Sequence, residues 1–262
     1  MNELTAYAAS LGIGLSLGLI GAGGSILTIP VFVYVLKKDP LSSGVYAMFV
    51  VGISAMAGSI QSMINKLVDF RIAIVFGVPS VAGVLVARKL IFPSIPHLFS
   101  IGSYSLSKDM ISMLCLSVLM CLAAFRMLNP MLTHHESLAD KPAAISLPLR
   151  GLFVGIITGL VGIGGGFLIV PALFLLAGLS MKQAIGTALL IITANSLFSF
   201  LTSYASMNLD WLLLAKFSMG AIAGIVIGTK LSAKIPGDLL KKIFGWFILS
   251  VSVYIIYKQF FL

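Results

Sequence analysis

Apolar residues fill this chain in long runs, separated by short polar stretches. Eight runs stand out, at about 4–36, 41–64, 70–92, 109–128, 147–177, 181–204, 211–231 and 239–261. Each reaches the roughly 20 residues that a helix needs to cross the hydrocarbon core of a bilayer. The first and fifth are longer than one crossing requires, and both are interrupted by glycines. The most polar stretch is the linker 129–146, which holds His134, His135, Glu136, Asp140 and Lys141. It divides the chain into 1–128 and 147–262. The pattern predicts an all-α integral membrane protein built from two repeats of four apolar segments. The first segment of each repeat is broken or re-entrant at its glycine-rich stretch.

The halves align on themselves. A shift of 141 positions places Gly18-Leu-Ile-Gly-Ala-Gly-Gly-Ser-Ile-Leu-Thr-Ile-Pro30 on Gly159-Leu-Val-Gly-Ile-Gly-Gly-Gly-Phe-Leu-Ile-Val-Pro171, with 7 of 13 residues identical. The same shift pairs Asp69-Phe70 with Asp210-Trp211, Gly83 with Gly224, and Lys89-Leu90 with Lys230-Leu231. One offset shared by separated landmarks is the mark of an internal repeat. The first copy carries an extra stretch near His97–Ser107.

Composition closes off other classes. The chain has 262 residues, 59% hydrophobic and 10% charged, with a mean hydropathy of +1.11. A soluble domain has about 25% charged residues. The formal charge of +9 would suggest nucleic acid in a soluble protein. Here the basic residues sit between apolar runs, where they set membrane topology instead. If all eight segments span, ten basic residues on the side of the loops after segments 1, 3, 5 and 7 face six on the other. Both termini then lie outside. If segments 1 and 5 are re-entrant, six full spans remain and the repeats are inverted instead. Met1-Asn2-Glu3 lacks the basic start of a secretory signal. Cys115 and Cys121 sit six apart in one apolar run and read as buried thiols. No spacing points to a metal or another cofactor.

The chemistry concentrates at the two glycine breaks. These are Gly21, Ala22, Gly23, Gly24 and Ser25, and Gly162, Ile163, Gly164, Gly165 and Gly166. A glycine inside a helix costs about 1 kcal/mol relative to alanine, so a cluster unwinds it. Unwound backbone cannot face lipid and must face protein, water or ligand. A new half-helix begins near Ile26 and Phe167, and its first N–H groups have no partner within the helix. Such an end attracts anions, and two of them are expected to converge at mid-depth. Gly14 and Gly18, Gly155 and Gly159, Gly83 and Ala87, and Gly224 and Gly228 have the spacing of close helix packing instead.

Segment 6 adds Thr187, Thr193 and Asn195 to the candidate site, and segment 2 adds Ser54. A carboxamide inside a membrane needs a partner, either a substrate oxygen or a neighbouring helix. In segment 2, Ser54 stands for Thr193, Met56 for Asn195, and Ala47-Met48 for Gly186-Thr187. Asp69 and Asp210 read as helix N-caps. No acidic residue falls at the middle of a span, which argues against a proton relay built on a buried carboxylate.

The duplicated break with its following proline, the four-segment repeat and the Gly186-Thr187 stretch together resemble the sulfite exporter TauE/SafE family, also called TSUP. The resemblance covers the whole chain. It implies a transporter, by family character an exporter, of sulfite or an organosulfonate. Helix-end physics points to an anion, and only the resemblance points to sulfur. The expected partners are a small anion and the lipid bilayer of the inner membrane, with room left for a homo-oligomer. Nucleic acid is excluded. No catalytic constellation is present in the sequence, so the chain reads as a non-enzyme. The other readings are a carrier of a cation or neutral metabolite, and a non-transport assembly protein.

Overall fold

The computed structural model describes residues 3–21, 24–91, 98–101, 104–129, 146–161, 166–204, 207 and 209–261. Helix α1 covers Glu3–Ile20 and α2 covers Gly24–Pro30, continued by a π-helical turn at Val31–Val35. Helix α3 covers Pro40–Ile64, and α4 covers Phe70–Val86 with a π-helical end at Ala87–Ile91. Strands β1 (Leu98–Ile101) and β2 (Tyr104–Ser107) pair antiparallel. They occupy the extra stretch of the first half and are the departure from an all-helical chain. Helices α5 (Lys108–Leu128), α6 (Ser146–Val161), α7 (Gly166–Leu176), α8 (Met181–Ser203), α9 (Trp211–Lys234) and α10 (Gly237–Phe261) complete the fold. Among the described residues five helices are long and apolar enough to cross a membrane by length and composition, and shorter apolar helices lie in α1, α5, α6 and α7.

Outer faces stay apolar. Phe70, Ile74 and Val78 of α4 recur every four residues and are exposed. So are Val118, Leu122 and Phe125 of α5. Stripes of this size on a soluble protein would drive association; on a multi-pass membrane protein they meet lipid tails. Cys121 is half-buried and free, less enclosed than its apolar surroundings suggest.

Two helix pairs form the closest packing. Gly14 of α1 lies against the backbone of Ala221 in α9, and Gly18 against Ile225, Gly228 and Thr229. Gly155 of α6 lies against the backbone of Ser80 in α4, and Gly159 against Val84 and Ala87. Residue numbers rise together in both pairs, so each is parallel. The glycine pairs read as packing faces do pack, but each joins a helix of one half to a helix of the other.

The long helices α3 and α8 cross in opposite senses. Gly52 meets Leu197, while Gly58 meets Leu189. Helix α8 runs parallel to α4, through Gly77 against Ile191 and Ser80 against Asn195. Helix α3 runs parallel to α9, through Tyr46 against Asp210 and Gly58 against Ile225. Hence α1 and α3 point the same way.

Segment 1 therefore doubles back. Gly21 adopts φ 74°, a left-handed conformation that glycine takes without steric cost. Its N–H donates to Leu17 O at 2.7 Å, closing the last turn of α1. A Cβ on Gly24 would lie 3.2 Å from Leu17 Cβ. In a straight helix residues seven apart are separated by about 10 Å. The chain thus reverses between Gly21 and Gly24, and α2 returns to the end where α3 starts. Because α10 follows α9 after a two-residue turn, the chain ends on the side where it began.

Asp69 and Asp210 cap α4 and α9, accepting N–H bonds from Ile72 and Leu213, each at 3.0 Å. Asp69→Ala and Asp210→Ala are each expected to cost about 1 kcal/mol, and the Asn variants much less, because asparagine caps as well. Thermal unfolding of the detergent-solubilised chain measures the difference.

Candidate functional site

The interior holds the site residues at several levels. Gly21 is buried, and a Cβ there would meet Ile185 of α8 and Val170 of α7. Gly166, the first residue of α7, is buried against Ile192 of α8. Ile185 and Ile192 are seven residues apart on one helix, about 10 Å along its axis. Gly21 and Gly166 therefore sit at different depths. The described ends of the two breaks meet α8 about two turns apart, and Gly21 also lies beside Val170 of α7; the convergence of the breaks rests on residues outside the described ones. Ala22, Gly23, Gly162, Ile163, Gly164 and Gly165 lie outside the described residues, as does the side chain of Ser25.

The polar residues of α8 divide by partner. The Thr187 hydroxyl accepts the Asp69 N–H at 3.0 Å. Thr193 donates back to Leu189 O at 2.7 Å within its own helix. Both hydroxyls are already engaged. Asn195 Nδ2 donates to Ser80 Oγ on α4 at 3.2 Å. Its Oδ1 has no partner among the described residues, and neither do Ser196 Oγ, Ser54 Oγ or Ser218 Oγ. Asn195 and Ser54 are 1% exposed and Ser196 is 0% exposed. Leaving such a group unsatisfied costs about 1–3 kcal/mol, so these atoms mark where the bundle interior has hydrogen-bonding capacity to offer a ligand.

Two residues escaped the sequence reading. Ser80 holds the Asn195 amide, yet it reads in sequence as a small polar filler in an apolar run. Tyr46 is buried, and its phenol oxygen accepts the Asp210 N–H at 2.6 Å. That contact matches Thr187 on Asp69 at the same 141 shift. The counterpart of Thr187 is therefore Tyr46, not the Ala47-Met48 pair, and the counterpart of Asn195 is Ser54 rather than Met56. The shift that defined the repeat was the available signal, and a two-residue slip in segment 2 hid it. Beside Tyr46, Lys38 Nζ approaches Asp210 Oδ2 at 3.9 Å and lies over the Tyr46 ring. Partial exposure keeps this ion pair weak.

Among the described residues no group of three His, Cys, Asp or Glu side chains stands ready to hold a metal. The arrangement suits binding of a small polar solute by hydroxyl, amide and backbone groups.

The family model for the sulfite exporter TauE/SafE family matches residues 6–255. The chain is 29% identical over 260 residues to a probable membrane transporter protein of Xylella fastidiosa strain Temecula1, covering 94% of this chain and 92% of the relative. It is 30% identical to one from Xylella fastidiosa strain 9a5c, with the same coverage. It is 24% identical over 260 residues to the probable membrane transporter protein YunE of Bacillus subtilis, covering 93% of each. No solved structure gives a significant match. A small-molecule substrate and a lipid surround come with this kinship. The chain is a multi-pass membrane transporter and belongs to the sulfite exporter TauE/SafE family.

Proposed function

We propose that this transporter exports a small sulfur-containing anion, sulfite or an organosulfonate, across the inner membrane by alternating access. The observation that carries the anion reading is the pairing of broken backbone with uncharged, partnerless polar groups. Gly21 and Gly166 lie against the same helix that holds Asn195 and Ser196. Hydroxyls, amides and opened N–H groups bind an oxyanion without burying a full counter-charge. The sulfur chemistry rests on the family. In this reading Gly21, Ala22, Gly23, Gly24 and Ser25 line one break, and Gly162 to Gly166 line the other. Asn195 makes the main side-chain contact and Ser54 of α3 a minor one, while Thr187 and Thr193 support α8.

The division into 1–128 and 147–262 belongs to the same proposal. Equivalent contacts recur at the 141 shift: Gly14 on Ala221 with Gly155 on Ser80, and Gly18 on Ile225 with Gly159 on Val84. Equivalent helices α3 and α8 run oppositely, which favours inverted repeats. With both first segments doubling back, ten basic residues fall on one side: Lys66, Arg71, Arg126, Lys141, Arg150, Lys182, Lys230, Lys234, Lys241 and Lys242. Lys37, Lys38, Arg88, Lys89, Lys108 and Lys258 fall on the side of the termini. The positive-inside rule then puts both termini outside. The sequence halves do not rock as units, because α1 is packed on α9 and α4 on α6.

Purified protein in liposomes tests the substrate class. Saturable uptake of sulfite is expected, well above uptake of sulfate, chloride or sodium, with taurine as the organosulfonate probe. Preferential movement of sodium would overturn the anion reading.

A further inference from the structure

We propose that the substrate site is single and one-sided, lying on the α8–α4 flank of the central crossing. Asn195 and Ser196 are its ligands, and Ser80 is the residue that positions the Asn195 amide. This deepens the anion reading above and rests on it.

The first support is a contrast among serines and threonines inside helices. Most return the hydroxyl to a carbonyl three or four residues back, as Ser16, Ser59, Ser62, Thr158, Thr193 and Thr229 do. That bond is available to any helical serine at little cost. Ser196 does not make it, although it is completely buried. Neither does the carbonyl end of Asn195 find a partner. The two residues are neighbours in the chain and follow Ile192, which touches Gly166 at the start of α7. The unpartnered groups thus lie within about one helical turn of the residue that faces the second break.

The second support is an asymmetry. At the 141 shift, the Asn195–Ser80 contact corresponds to Ser54 beside Ala221. Ala221 offers no side-chain polar atom and is fully buried in the close contact with Gly14. Ser196 corresponds to Ala55, also fully buried. One flank therefore carries an amide beside its hydroxyls, and the other carries the hydroxyls of Ser54 and Ser218 but no amide. Two equal sites cannot be built from these residues.

Ser80 gives the amide its freedom. A hydroxyl can accept from Nδ2 or donate to Oδ1. In this structure Asn195 Nδ2 faces Ser80. With an oxyanion present the amide turns over, Ser80 donates to Oδ1, and the Nδ2 hydrogens join the Ser196 hydroxyl on the anion. The ligand class is a small oxyanion with several acceptor oxygens.

Sulfite uptake into proteoliposomes, resolved into KM and maximal rate, tests this. Asn195→Ala should raise KM by about tenfold or more, the loss of one strong hydrogen bond. Ser80→Ala should raise it less, and Ser80→Thr should restore it. Ser54→Ala should shift KM by less than about threefold. Equal shifts for Ser54→Ala and Asn195→Ala, or no rescue by Ser80→Thr, would overturn the one-sided site. Wild-type vesicles that take up no sulfite would overturn the substrate class instead. The site is then judged on thermal stability alone. Ser196→Ala and the double variant Asn195→Leu/Ser80→Ala should unfold at or above the wild-type temperature, because they remove polar groups kept for a ligand. A fall of several degrees in both would show that those groups hold the fold, and would overturn the site.

Discussion

Gly155→Val and Gly14→Val are each expected to remove folded transporter from the membrane, while Gly12→Ala and Gly44→Ala leave its yield intact. A Cβ on Gly155 would fall on the carbonyl oxygen of Ser80, and one on Gly14 on that of Ala221. Those are backbone atoms, so no rotamer change relieves the overlap. The helices must separate, and the loss spreads along the whole pair through Gly18 and Gly228, or through Gly83 and Gly159. Lipid tails are as apolar as leucine, so helices in a bilayer associate through close packing rather than through hydrophobic burial. Losing that approach should cost more than about 4 kcal/mol, the range reserved for exceptional substitutions. A methyl group added at Gly12 or Gly44 would meet nothing within 4 Å. Alanine there gains up to about 1 kcal/mol of helix propensity. Size-exclusion chromatography of detergent extracts separates the outcomes.

The same contacts constrain movement. Helices α1 and α9 form one tight body, and α4 and α6 form another, each drawing one helix from each half of the chain. A cycle that separated residues 1–128 from 147–262 would have to break both glycine interfaces at once. Motion is cheaper where α7 lies beside α8, where α2 lies beside α3, and where α3 crosses α8 through leucine side chains.

Much of this fold can be read from the sequence. Segment length marked the helices, the glycine spacing marked the packing faces, and Asp69 and Asp210 marked two helix starts. Three features could not be read. A cluster of glycines shows that a helix stops, but not whether the chain continues or reverses; that depends on Leu17 meeting Gly24. A small-residue face shows that something packs closely, but not that its partner comes from the other half. Ser80 is silent in sequence because a lone serine in an apolar helix usually bonds its own backbone, and only the Asn195 contact across α4 and α8 sets it apart. The residue types proposed for the site were legible in the sequence, while their partners, Ser80 for Asn195 and Asp69 for Thr187, were not.

The second large effect concerns the breaks themselves. On the proposed account, Gly23→Leu and Gly164→Leu each place a good helix former inside a glycine break that the site uses. The change favours continued helix by about 1 kcal/mol, and the side chain also shields the N–H groups from any ligand. In the proposed alternating-access cycle both breaks take part, so either substitution alone should abolish transport. The most direct measurement is sulfite uptake by proteoliposomes carrying wild type, Gly23→Leu or Gly164→Leu, each first shown to be folded by size-exclusion chromatography. The expected result is wild-type uptake that saturates and variant uptake no faster than empty vesicles. Folded variants that carry sulfite at the wild-type rate would contradict a site built on the glycine breaks.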